Sequence, residues 1–163
     1  MGSSYIEYDG QGFWARDELI ELWLRIFSDL TADDATDDEW FGQVRREFRE
    51  LATTGFVGCV DPRLDALIDG RADRRTKLLR QSEAVISVVG RLPDVLTPAQ
   101  MGAWRISGMS GAEWEEYTAA RYPDLGGQPT QPLRDVATAF TRLLNGTWRG
   151  RVEDTWVPPL GGT

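Results

Sequence analysis

Residues 14–30 read WARDELIELWLRIFSDL. The apolar positions are Leu19, Ile20, Leu22, Trp23, Leu24, Ile26, Phe27 and Leu30, spaced for a helix but spread over more than one face. A surface helix carries a single apolar stripe; a helix that is apolar on several sides must be covered on several sides. The stretch therefore predicts a central helix around which the rest of the chain packs. Asp17 and Glu18 in its first turn suit the positive end of the helix dipole.

Further along, Asp37 or Asp38 is placed to cap a second helix that runs to Thr54 and stops at Gly55. Its stripe is Trp40, Phe41, Val44, Phe48, Leu51 and Ala52, with Arg45, Arg46, Glu47, Arg49 and Glu50 on the other face. Asp61-Pro62 opens a short helix that Gly70 ends. Asp73 caps a long one reaching Val89, whose early turns carry the cluster Arg71, Arg74, Arg75, Lys77 and Arg80. Short helices are expected at 97–104 and 110–122. The clearest periodicity follows a Gly/Pro-rich loop: Leu133, Val136, Ala137, Phe140, Leu143 and Leu144, closed by Gly146. Residues 147–163 read as an extended tail packed back on the domain by Trp148 and Trp156. At the other end, residues 5–9 read as a short strand, Gly10-Gln11-Gly12 as a break, and residues 1–4 as a cloning remnant or disordered start. The expected fold is mainly α: one helical domain over residues 1–163, a bundle of five to seven helices.

Composition narrows the chemistry. The chain has 163 residues, 41% of them hydrophobic, which is enough for a core and argues against disorder. With no histidine, the commonest general base and metal ligand is missing, and a Ser–His triad is impossible. One cysteine, Cys59, allows neither an intrachain disulfide nor a multi-cysteine zinc site, and its apolar surroundings suggest a buried, inert thiol. The start lacks the basic residues of a secretory signal, and no stretch approaches the roughly 20 apolar residues of a membrane span. Cytoplasm is the default location.

The net charge of −8 is gathered at one end. Residues 1–40 hold eleven carboxylates and two arginines, and the remainder is nearly balanced. Asp29, Asp33, Asp34, Asp37, Asp38 and Glu39 lie close together with no base among them. Self-repulsion makes such a cluster costly for a compact fold, so it suggests a cationic partner or a metal.

Several motifs are weighed against plainer readings. Asp33-Asp34-Ala35-Thr36-Asp37 resembles the DDxxD string of class I prenyl and terpene synthases, whose carboxylates hold magnesium. Here it falls between helices and no second metal motif accompanies it, so a solvated capping loop is favoured. Gly10-Gln11-Gly12-Phe13-Trp14-Ala15 fits a dinucleotide fingerprint in outline, but Phe13 and Trp14 are bulky where pyrophosphate must approach. Ser107 to Gly111 lacks the nucleophile-elbow spacing. Glu113, Glu115 and Glu116 around Trp114 are read as helix surface rather than as a sugar site. The Arg71–Arg80 cluster is read as a solvated face paired in part with Asp69 and Asp73, or with the acidic stretch, since a pI near 4.6 argues against direct nucleic-acid binding.

The favoured expectation is a non-enzymatic acidic module that docks a basic protein partner, such as a toxin or a nucleic-acid-binding protein, through Asp33, Asp34, Asp37, Asp38, Glu39 and Trp40. In type this is similar to bacterial immunity proteins of toxin systems, which are small, cytoplasmic, acidic and free of motifs; no residue-by-residue match carries the comparison. No cofactor, metal or membrane partner is expected. The alternatives are a helical scaffold or oligomerisation domain, a DNA mimic, and a carboxylate- or metal-dependent enzyme.

Overall fold

The computed structural model describes residues 2–30, 38–54, 59–97, 128–150 and 155–158. The central helix, α1, spans Asp17–Leu30, and eleven of its fourteen residues are buried. Trp23 lies face to face with Phe140, centroids 3.8 Å apart and 6° from parallel, while Phe27 meets Phe41 and Phe48. Around α1 stand α2 (Glu39–Thr54), the short α3 (Leu64–Ile68), α4 (Ala72–Val89) and α5 (Gln131–Leu144). These are five helices among the described residues, and the molecule is mainly α. Helices expected over 97–104 and 110–122 lie almost wholly outside the described residues; the strands Val95–Leu96 and Gln128–Pro129 pair antiparallel on either side of that region.

The stripe read along α2 is the face it buries, with Phe41, Val44, Phe48 and Ala52 at 1% exposure or less. The α4–α5 pair is joined by a buried Ser82–Thr141 hydroxyl contact of 2.8 Å and latched at both ends. Arg75, near the start of α4, donates to the Leu144 carbonyl at the end of α5 at 2.5 Å. Arg134, near the start of α5, donates to the carbonyl of Val89, the last residue of α4, at 3.3 Å and to that of Leu92 just beyond it at 2.7 Å. Each arginine bonds carbonyls at or just beyond the C-terminal end of the neighbouring helix, where a cation suits the dipole. This explains the otherwise unfavourable placement of Arg75 at a helix start.

The N-terminus differs from expectation. Residues 11–16 do not break the chain and enter a helix; Ser3–Tyr8 (β1) and Gln11–Arg16 (β2) form an antiparallel hairpin, Tyr8 opposite Gln11 and Ser3 opposite Arg16. Asp9 and Gly10 turn it with φ of 52° and 68°, the left-handed pair that a two-residue hairpin loop requires. The dinucleotide-like string is therefore used up in a turn and an antiparallel strand, with no helix opening at its glycines. Nor is Ser4 a dispensable leader. It is buried, donates to Asp17 Oδ1 at 2.7 Å and accepts from the Val60 amide at 2.8 Å, so it ties β1 to the start of α1 and to the segment before α3.

Two helix starts are also revised. Asp61 accepts the Arg63 amide at 2.9 Å, and α3 begins only at Leu64 after Arg63 turns through φ 49°. Arg71, not Asp73, stands at the cap position of α4. Among the described residues of 147–163, both tryptophans pack on the hairpin: Trp156 stacks on Trp14 at 5.8 Å, and Trp148 meets Phe13 edge-on and donates to the Gly12 carbonyl at 2.9 Å. Among the described residues no helix is long and apolar enough to cross a membrane.

Candidate functional site: the trough along α2

Of the six residues singled out for docking, Asp33, Asp34 and Asp37 lie outside the described residues. Asp38, Glu39 and Trp40 form the entry to α2. Asp38 is its cap, accepting the Phe41 amide through Oδ1 at 2.7 Å; its Oδ2 accepts Lys77 Nζ at 3.3 Å. The Phe41 amide, and then Lys77, hold its carboxyl below the ordinary value of 3.8. Glu39 is exposed. Trp40 is half-buried and turned onto the body of the molecule: Nε1 donates to the Leu67 carbonyl at 3.2 Å, and the Arg74 guanidinium sits 5.1 Å from its ring centre.

The arginine cluster is largely matched internally. Arg71 grips Asp73 with two hydrogen bonds, 2.8 and 3.2 Å, which lowers the Asp73 pKa. Arg74 donates to the Leu67 carbonyl at 3.3 Å and lies 3.9 Å from Asp69. Lys77 pairs with Asp38 and covers the Phe41 ring at 4.6 Å. Asp38, at the end of the acidic stretch, thus meets Lys77 of the basic cluster within one molecule and is not available as bare negative potential.

The sequence reading did not anticipate the cleft beside these residues. Three hollows of about 400, 290 and 350 Å³ run along the outer flank of α2, between it and the chain from Cys59 to Lys77. The first two share Glu47 and Arg63; the second and third share Trp40 and Arg74. Together they make one trough. Its α2 rim carries Glu39, Gln43, Glu47 and Glu50, which helical spacing places on one side of the helix. A counter-signal was present in the sequence, since these positions alternate with the core stripe, but the opposite wall comes from a segment whose path only the fold reveals.

Cys59 is exposed, not buried, and lines the first hollow beside Asp61 and Glu50. Val60, the next residue, is buried. Among the described residues no three His, Cys, Asp or Glu side chains are grouped to hold a metal ion. No family model, curated protein or solved structure matches this chain. The fold and the site define a mainly helical protein with a charged interhelical trough.

Proposed function

We propose that the protein is a non-enzymatic binding module that docks a basic protein partner, immunity-protein-like in type, over the acidic stretch and the adjoining rim of α2. The observation that carries this reading is the trough: an elongated concavity whose α2 rim bears Glu39, Glu47 and Glu50 and which starts where the acidic stretch ends. A concave path between helices suits a protein segment, and a concentration of carboxylates steers a cationic one toward it. Trp40, fixed by Leu67 and Arg74, offers rigid aromatic area that costs little ordering on binding.

The test begins with a partner recovered from the source cells and purified. Its dissociation constant is measured from low to high salt against wild type, against Asp33→Asn/Asp34→Asn/Asp37→Asn, and against Glu39→Gln. A steep salt dependence, with about tenfold weakening in the triple variant, is expected. A constant that responds to neither change rejects the docking reading. Asp38→Asn is included because asparagine preserves the cap while removing the charge.

A further inference from the structure

The rims of the trough carry opposite charges. Along α2 stand Glu39, Glu47 and Glu50; across from them stand Arg63, Arg71, Arg74 and Lys77 with Asp61 and Asp73 among them, a wall that is net positive. Between the rims the half-buried Trp40 and Leu67 offer apolar surface in one hollow and the half-buried Leu51 in the next, with Val44, Phe48 and Pro62 buried beneath them. Glu47 and Arg63 decide the character of the site. Both line the first and second hollows, so they face one another across the trough, yet no ion pair joins them. Glu47 is bonded along its own helix, Oε1 accepting Gln43 Nε2 at 2.8 Å. Arg63 is exposed and stands at φ 49°, its amide held by Asp61. An open groove with unlike rims favours an occupant with unlike flanks.

We infer that the trough receives an amphipathic helix of a protein partner, its apolar stripe on Trp40 and Leu67, its basic flank along Glu39 and Glu47 and its acidic flank toward Arg63. The twelve residues from Glu39 to Glu50 span roughly 16 Å, about three helical turns, so three turns of the partner lie in contact. This deepens the reading proposed above and rests on it: the partner as a whole is basic, and the segment it inserts is charged on both sides.

The experiment uses three fluorescent helical peptides of about 18 residues, some 27 Å long, with one common Leu stripe. One has Lys on one flank and Glu on the other, one has Lys on both, and one has Glu on both. Anisotropy is read at about 0.15 M salt, where long-range attraction to the acidic protein is screened. The mixed peptide is expected to bind at least about tenfold more tightly than either uniform one. Arg63→Glu, which reverses the charge across from Glu47 while leaving Arg71 and Arg74 in place, should shift the preference toward the all-Lys peptide. Glu47→Lys, which reverses the charge across from Arg63 while leaving Glu39 and Glu50 in place, should shift it toward the all-Glu peptide, and melting curves confirm that both variants fold. If the all-Lys peptide wins on wild type, the helix assignment is overturned while the basic-partner reading stands. Absence of binding by all three, or a ranking that neither variant alters, also overturns it, and leaves the salt and neutralisation test above to decide the broader reading by itself.

Discussion

Asp29 sits in the last turn of α1 with most of its carboxyl removed from water. Burial pushes its pKa up from 3.8 to about 6, against the pull of Arg49 and then Arg25. A raised folded-state value means that the folded chain takes up a proton the unfolded chain has already released. The protonated form therefore favours folding fully below about pH 3.8, and that contribution disappears as pH rises through about 6. Asp29→Asn should accordingly raise the melting temperature at pH 7.5, with the gain shrinking toward zero at pH 4; solvent still reaches the group, so the gain is small. A gain of equal size at both pH values would contradict this origin. Asp38 behaves oppositely. Its value is depressed, so its contribution is present at neutral pH and is lost only as pH falls below the ordinary carboxylate range. Asp38→Ala removes the oxygen that accepts the Phe41 amide and should cost about 1 kcal/mol in urea unfolding, whereas Asp38→Asn should cost a few tenths.

At the scale of the elements, the hairpin shows where local rules were available and misweighted. Asp9-Gly10 between alternating segments is a strong hairpin signal, but Gly12 two residues later suggested a loop. Its glycine has a tertiary cause: a Cβ there would meet the Ile6 carbonyl and lie 2.5 Å from the end of the Tyr5 ring, which crosses it. Gly12→Ala should therefore destabilise by about 1–3 kcal/mol, as overpacking does, and circular-dichroism melting would show it; an unchanged midpoint would mean that the Tyr5 ring and the Ile6 carbonyl both give way at no cost. The helices were legible because their stripes are strictly periodic: the residues named for α5 are all buried, as are four of the six named for α2, with Trp40 and Leu51 half-buried at the edge of the trough. Starts were less legible. Asp61 and Asp73 both resemble caps in sequence, yet one makes a turn ahead of α3 and the other pairs with Arg71, because the left-handed turn at Arg63 is a property of the assembled fold. The site was legible only in part. Glu39 and Trp40 do lie at the trough, but Asp38 is spent on a cap and on Lys77, and Arg63 carries no local mark that it faces Glu47.

For the whole molecule, the two ends of the chain meet. The amides of Gly12 and Trp14 point away from β1 and bond instead to the tail, Gly12 to the Gly150 carbonyl at 3.4 Å and Trp14 to the Thr155 carbonyl at 2.7 Å, while Val157 donates to the Trp14 carbonyl at 2.8 Å. The tail thus closes the edge of β2 that would otherwise present open backbone groups, and the Trp14–Trp156 stack holds it there. Alternation along β2 turns the amides of Phe13 and Ala15 the other way, toward β1. These two sets of amides report on different contacts. Trp156→Ala removes the stacked ring and loosens the tail without touching the hairpin register, so hydrogen exchange at Trp14 should accelerate at least about tenfold, equivalent to roughly 1.4 kcal/mol of lost protection, with Gly12 following more weakly because its bond is longer. Phe13 and Ala15 should hardly change. If all four accelerate together, the tail and hairpin open as one unit, and the hairpin depends on the tail for its own stability; if none does, the stack contributes nothing and the backbone bonds alone retain the tail.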